Sequence, residues 1–285
     1  MSDVDDGPDE LIQEWSKDKL RLLAQYLRAY SVIMQTQREK EGWLRSYSYV
    51  DAFASVGAYR DAETAELVKG SPLVALHCEP PFDEYWFIER APERMDRLKG
   101  LLAGEAECRS IRYVVGDSNQ VLQQQVARAI RYENFNRGFV FLDPYGFHVE
   151  WETIQCLAEA RAFDVFVNFP IMGVNRVLER RRKPSGATLD LLRRVMGRAD
   201  WAATLYETQF GLFGEERTSR ARLRAERLAE LYIGDIRKLF GYASTPVVMR
   251  NSTNTPLYAL FLASGNRTAV KITNDIFRRY ERLGK

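Results

Sequence analysis

The sequence predicts a doubly wound α/β fold: a parallel sheet with helices on both faces, a helical insertion, and a C-terminal antiparallel hairpin. Three observations predict it. Short β-branched and aromatic runs alternate with helical patterns as far as Pro170. That rhythm stops over residues 171 to about 240, which read as almost wholly helical with no strand. Two apolar runs then stand close together, joined only by the polar segment Arg250–Pro256, a spacing that suits a hairpin rather than a crossover.

Each element has a local reason. Ser16 suits an N-cap, and Leu20, Leu23, Leu27, Tyr30 and Met34 recur at three- and four-residue steps, so a long amphipathic helix follows. Ser46–Phe53 is a strand that turns near Gly57. Ser71 at N-cap with Pro72 at N1 starts a short helix. Tyr85–Glu89 is an apolar strand ending in an acid, backed by a helix over Glu93–Leu102. Ile111–Gly116 is a strand, followed by Asp117 and a Gln-rich helix to about Ile130. Phe139–Leu142 runs into Asp143-Pro144, Val149–Ala160 is helical, and Asp164–Asn168 is a buried-type strand ending at Pro170. Pro246–Met249 and Leu257–Leu262 form the hairpin, and a helix over Arg267–Leu283 closes the chain. Residues 1–14 read as a flexible acidic lead-in and 15–285 as a single domain. By analogy of outline, this is a class I methyltransferase-like domain.

Composition excludes more than it assigns. The 285 residues are 46% hydrophobic and 28% charged, enough for one large core or two small ones. Lys and Arg number 41 against 39 Asp and Glu, so the net charge of +2 is uninformative and only its distribution matters. Cys78, Cys108 and Cys156 stand apart, and His77 and His148 complete a poor ligand set, so no metal site is expected. Isolated thiols suit a reducing compartment. The acidic N-terminus lacks a signal-peptide pattern, and no apolar run approaches the roughly 18 residues of a membrane span. A cytoplasmic protein without a membrane partner is expected.

In a doubly wound sheet, ligands bind beyond the carboxyl ends of the strands. Those ends carry Asp51-x-Phe53-x-Ser55-x-Gly57, then Glu89, Asp117, Asp143-Pro144-Tyr145 and Asn168. A small-residue turn after the first strand lets backbone N–H groups approach the methionyl part of a cofactor. Glu89 suits a ribose diol, and Asp117 an adenine amine. Pro144 fixes the backbone after the fourth strand, Tyr145 offers a stacking face, and Asp143 can accept hydrogen bonds from an exocyclic amine. Asn168 adds an amide acceptor on the same rim. Each residue also has an ordinary reading: Gly57 as a turn glycine, Glu89 or Asp117 as a helix cap, Tyr145 in a type I turn, and Asn168 in a strand-ending turn. Their succession at consecutive strand ends favours the binding reading.

The insertion holds Arg176, Arg180, Arg181, Arg182 and Lys183, with Arg193, Arg194 and Arg198 further on. Such a run attracts phosphates without reading sequence, and nucleic acid is the expected partner. Arg217, Arg220, Arg222, Arg224 and Arg227 are mixed with acids and read as a solvated helix face.

Several strings together resemble the bacterial three-Cys-motif partner family, from about Trp15 to the C-terminus. They are Trp15-Ser16 with Lys19-Leu20, Asp51-Ala52-Phe53-Ala54, Gly70-Ser71-Pro72-Leu73, Phe87-Ile88-Glu89, Gly116-Asp117, Phe141–Phe147, Trp151, Asn168-Phe169-Pro170, Asn175-Arg176, Met249–Ser252 and Pro256-Leu257-Tyr258. The resemblance implies a methyltransferase-like fold and a neighbouring three-Cys-motif protein of iron–sulfur type. The Asp143–Gly146 string is also similar to the motif of tRNA guanine-amine methyltransferases. One departure matters: where the family tends to have Phe-Ala-Gly-x-Gly, this chain has Phe53-Ala54-Ser55-Val56-Gly57. A Cβ at Ser55 would crowd a ligand if the turn needs positive φ. Gly265 stands where the family often has His.

The expected function is a methyltransferase dependent on S-adenosylmethionine (SAM), acting on an exocyclic amine of a nucleobase in RNA or DNA, with the three-Cys-motif protein as partner. Asp51, Phe53, Ser55, Gly57, Glu89 and Asp117 are the expected cofactor residues; Asp143, Pro144, Tyr145 and Asn168 position the acceptor. The alternative is a non-catalytic module of the same fold that binds nucleic acid or the partner. A magnesium nuclease ranks last, because the acids come from separate strands without a tight grouping.

Overall fold

The computed structural model describes residues 11–173, 186–198, 206–210, 216–220 and 225–283. The elements run β1 (Leu11–Ile12), α1 (Glu14–Glu41), β2 (Ser46–Asp51), β3 (Ala58–Asp61), β4 (Leu67–Lys69), α2 (Ser71–Leu76), β5 (Glu84–Glu89), α3 (Pro92–Leu101) and α4 (Ala103–Ala106). They continue with β6 (Ile111–Val115), α5 (Ser118–Val121), α6 (Ala127–Ala129), β7 (Asn136–Leu142), α7 (Trp151–Glu159), β8 (Phe163–Phe169), α8 (Ala187–Met196), β9 (Tyr206–Phe210) and β10 (Glu216–Arg220). The last are α9 (Ala225–Phe240), β11 (Tyr242–Ala243), β12 (Val247–Arg250), β13 (Pro256–Ser264) and α10 (Arg267–Arg282).

The main sheet has the order β6-β5-β2-β7-β8-β13. The first five of these are mutually parallel, while β13 runs antiparallel to β8 and carries β12 and β11, also antiparallel, along its outer edge. Five parallel strands doubly wound about β2, followed by an inserted antiparallel hairpin, is the class I methyltransferase arrangement.

Alternation along the strands explains why both faces are covered. Tyr47, Tyr49, Tyr85, Phe87, Phe139, Phe141 and Phe166 point to one face and pack against α1, α2, α3 and α10. Val50, Trp86, Val140, Val165 and Phe261 point to the other, against α5 to α9. The first face is unusually aromatic. Phe139 has Tyr26, Tyr30, Tyr49 and Phe166 as ring neighbours at 5.5–6.0 Å, and burying such a ring contributes about 2–3 kcal/mol. The Tyr26 hydroxyl donates to Asp164 Oδ2 at 2.7 Å, and Ser264 donates to Oδ1, so α1 is also pinned by polar contacts to the amino end of β8.

Several expectations are corrected. The lead-in ends before residue 14, because β1 pairs in parallel with β3 and Ile12 O accepts from Ala62 N at 3.1 Å. Helix α1 therefore starts after Gln13, and Ser16 lies in its first turn instead of capping it. Likewise Gly70, not Ser71, is the N-cap of α2. The Gln-rich segment passes through a π-helical turn over Leu122–Val126. The insertion is not wholly helical: β9 and β10 pair antiparallel. Strands β3, β4, β9 and β10 escape the sequence reading because they lack the apolar runs that mark buried strands.

Gly57 shows how the loop after β2 is seated. Its φ is +79°, and a Cβ there would stand 2.4 Å from Leu98 Cδ1 in α3. Gly57→Ala should destabilise the protein by about 2 kcal/mol or more. Gly100→Ala, on the exposed side of α3 with nothing within 4 Å of the added Cβ, should be neutral or stabilise by up to about 1 kcal/mol. Urea unfolding of the two variants checks the contrast; equal effects would contradict the packing.

Candidate functional site

The strand order reverses between β2 and β7, so a cleft opens there beyond their carboxyl ends. Backbone bonds draw the flanking loops together. Ala52 N donates to Phe141 O at 3.1 Å, Ala54 N to Ile88 O at 2.9 Å, and Gly116 N to Glu89 O at 3.0 Å.

Asp51, the last residue of β2, is fully buried. It accepts from the Tyr49 hydroxyl at 3.1 Å, from Phe53 N at 3.2 Å and from the Ser71 side chain. Burial pushes its carboxyl up to about 6, helped by the nearby Asp143 charge and opposed by those hydrogen bonds.

The turn that follows does need a positive φ: Ser55 sits at +53°, a conformation that costs a residue with a Cβ about 1–2 kcal/mol. Ser55 is buried, and its side chain hydrogen-bonds Tyr59. Its N–H donates to Glu89 Oε2 at 3.1 Å, while Ala91 N donates to Oε1 at 2.9 Å. Glu89 thus staples the loop after β2 to the start of α3. Asp117 is the N-cap of α5, with Oδ1 accepting from Asn119 N at 3.0 Å and Gln120 N at 3.3 Å. Asp117 does cap a helix, and Gly57 is a turn glycine at positive φ that also packs against Leu98. A carboxylate has about four acceptor sites, so both acids retain capacity for further donors.

Asp143 accepts from Asn168 Nδ2 at 2.7 Å and pairs with the Lys19 ammonium. Asn168 is fully buried, and its Oδ1 has no partner among the described residues. Such an orphan acceptor costs about 1–3 kcal/mol until something donates to it. Pro144 is buried, whereas Tyr145 is 67% exposed with the Arg94 guanidinium 5.8 Å from its ring centre.

Phe53, Asp143, Pro144 and Tyr145 border a cavity of about 350 Å³. Asp51, Ser55, Gly57, Glu89, Asp117 and Asn168 do not line it; Asn168 lies behind Asp143, and the others belong to the strand ends and loops alongside. The expected residues therefore form two linked groups and not one ring. The sequence reading missed the rest of the wall, which includes Trp15 and Lys19 from α1, Arg94 from α3 and Tyr258 from β13. A signal existed, since Lys19 falls four residues after Trp15 and four before Leu23, on the apolar stripe of α1, and is only 8% exposed.

Arg176, Arg180, Arg181, Arg182 and Lys183 lie outside the described residues. Their neighbours Arg193, Arg194 and Arg198 are paired with Asp190, Glu150 and Asp235. Among the described residues no group of three His, Cys, Asp or Glu is placed to hold a metal ion, and no helix is long and apolar enough to cross a membrane.

No family model matches the chain, and no curated protein does. Solved structures overlap it loosely. Trm1 from Pyrococcus horikoshii in complex with S-adenosyl-L-methionine is 12% identical over 92% of this chain, with a TM-score of 0.43. This chain spans only 58% of that structure's length. The N-terminal domain of EvdMO1 with SAH and D-fucose is 11% identical over 90% of this chain and 84% of its own, at 0.41. An S-adenosylmethionine-dependent methyltransferase from Clostridium acetobutylicum is 12% identical over 84% and 92%, at 0.36. Strand order and direction, rather than these overlaps, define the fold class.

The raised Asp51 carboxyl has a measurable consequence. An acid whose folded pKa exceeds its unfolded value binds more protons when folded, so its contribution to stability declines as pH rises from about 4 to about 6. Between pH 4 and 7 the wild type should lose about 2–3 kcal/mol relative to Asp51→Asn, at 1.36 kcal/mol per pKa unit. Urea unfolding of both proteins at the two pH values measures this; parallel pH dependences would refute it.

Proposed function

We propose that this protein is a SAM-dependent methyltransferase whose acceptor is an exocyclic amine of a nucleobase in RNA or DNA. The observation that carries the reading is the disposition of acceptors around the switch point. Asp51, Glu89 and Asp117 end or follow β2, β5 and β6, while Asp143, backed by Asn168, follows β7 across from them.

The residues fit the cofactor. Each Glu89 oxygen holds one backbone N–H, leaving acceptor sites for the two hydroxyls of a ribose. Asp117 Oδ1 is taken up with capping, which leaves Oδ2 for an adenine amine. Asp51 is fully buried and would act from behind this rim, the hydrogen bonds it accepts from Phe53 N and Ser71 shaping the loop after β2 that faces the methionyl part of the cofactor. Phe53, in the loop after β2, borders the acceptor cavity. SAM supplies an electrophilic methyl group already activated by its sulfonium. The protein's task is then placement: Asp143, held from behind by the Asn168 amide, accepts from the amine, Tyr145 offers a face for the base, and no strong base is required. The basic run at Arg176 and Arg180–Lys183 supports a nucleic-acid acceptor. The sequence resemblance supports a three-Cys-motif protein of iron–sulfur type as partner.

A second reading is favoured by Ser55 and Lys19. A strained, buried serine in the cofactor turn and an ammonium already on Asp143 are what a binding module that has lost catalysis would carry. In that case reversing the charges of Arg180, Arg181 and Arg182 abolishes nucleic-acid or partner binding, and SAM has no effect on it. Unchanged binding by the triple variant would remove that reading.

For the first reading, calorimetry should detect SAM binding to the folded wild type and a loss of at least tenfold in Glu89→Ala, about 1.4 kcal/mol. Absence of SAM binding by the folded wild type would overturn it.

A further inference from the structure

We propose that the cavity beside Asp143 holds one nucleotide withdrawn from its strand, and that Lys19 positions the edge of its base. The inference rests on the methyltransferase reading and deepens it by naming the acceptor subsite and a residue of α1 that acts there.

The first argument is size and lining. At about 350 Å³ the cavity lies near the lower end of small-molecule pockets, roughly 300–1,000 Å³. That is room for a base and its sugar, not for a stacked helix, so a base must leave its stack to enter. Trp15, Phe53, Tyr145 and Tyr258 supply flat apolar faces around it. Trp15 and Tyr258 are themselves stacked, with centroids 5.3 Å apart. Aromatic faces of this kind hold a base whatever its sequence context.

The second argument is the polar pair inside that lining. An ammonium only donates and a carboxylate only accepts, and here the two stand side by side with side-chain exposures of 10% and 23%. On adenine, cytosine and guanine an exocyclic amine neighbours a ring nitrogen that accepts. The pair is complementary to that edge: the amine donates to Asp143 while the adjacent ring nitrogen accepts from Lys19, which keeps further protons after bonding Asp143. Placing Lys19 on an apolar stripe brings no clear gain in stability, because desolvating a buried ion pair offsets much of its attraction.

The third argument is that the wall bearing Lys19 is held in place. Lys17, two residues earlier, bonds Asp61 at 2.5 Å and also pairs with Glu14, and β1 is hydrogen-bonded to β3. The start of α1 is thereby anchored to β3, whose Tyr59 also lines the cavity.

The test uses the full chain with AMP, CMP, GMP and UMP as probes, and a single-stranded RNA containing whichever binds tightest. Lys19→Met, which leaves the Asp143 carboxylate without its ammonium and so melts somewhat lower, should still fold and match the wild type in SAM affinity, yet bind the preferred nucleotide and that RNA at least tenfold more weakly. Lys19→Arg, which restores a donor, should recover most of the loss. Equal nucleotide binding by Lys19→Met and wild type would overturn the role of Lys19. Binding of the free nucleotide but not of the RNA would overturn the withdrawn-nucleotide assignment. The underlying reading fails separately: Lys19-dependent nucleotide binding without SAM binding leaves the pocket standing and removes methyl transfer.

Discussion

The molecule depends on β2 being paired along both edges. It aligns with β7 from Ser46↔Asn136 to Asp51↔Phe141 and with β5 from Ser48↔Glu84 to Asp51↔Phe87. Tyr47, Tyr49 and Val50 are wholly buried between the two helical layers, so a one-residue slip would exchange the aromatic face for the aliphatic one. With β2 held in this way, the loops after β2, β5 and β7 emerge side by side. The backbone bonds from Ala52 to Phe141 and from Ala54 to Ile88 then follow directly.

This arrangement creates an electrostatic problem as well as a cleft. It places Asp51 in a dry interior, with Asp143 close enough for its charge to be felt. Hydrogen bonds from Tyr49, Ser71 and Phe53 N offset the cost at Asp51, and the Lys19 ammonium balances Asp143. Helix α1 is therefore more than a cover for the aromatic face. One stripe of it carries both Tyr26, which is locked into the ring cluster, and Lys19, which reaches the carboxyl end of β7. The packed end of the helix thus fixes where its other end stands.

The parallel strands and the terminal hairpin were legible because burial on both faces forces apolar runs, and such runs survive in a linear reading. The acids at the strand ends were legible for a related reason: the strand period tells where each one stops. Glu89 and Asp117 stood out by position, but their occupation by the N–H groups of Ser55, Ala91, Asn119 and Gln120 did not, since those bonds depend on loop geometry. Strands β3 and β4 stayed hidden because they are short and partly exposed, and β1 because its partner is 49 residues away in sequence at Leu11↔Arg60. Strands β9 and β10, Tyr-Glu-Thr-Gln-Phe and Glu-Arg-Thr-Ser-Arg, stayed hidden because they lack an apolar run.

By itself the sequence determined the fold class, the order of its elements, and the polar groups that each strand delivers to the rim, because hydrophobic periodicity and turn chemistry are local properties. Tertiary structure alone decided which of those groups meet. It separated Glu89 and Asp117 from the cavity, joined Asn168 to Asp143, and brought Lys19 to Asp143 across 124 residues. Contacts of that length arise only when helices dock on a sheet whose strand order is already set, and no local pattern encodes that order.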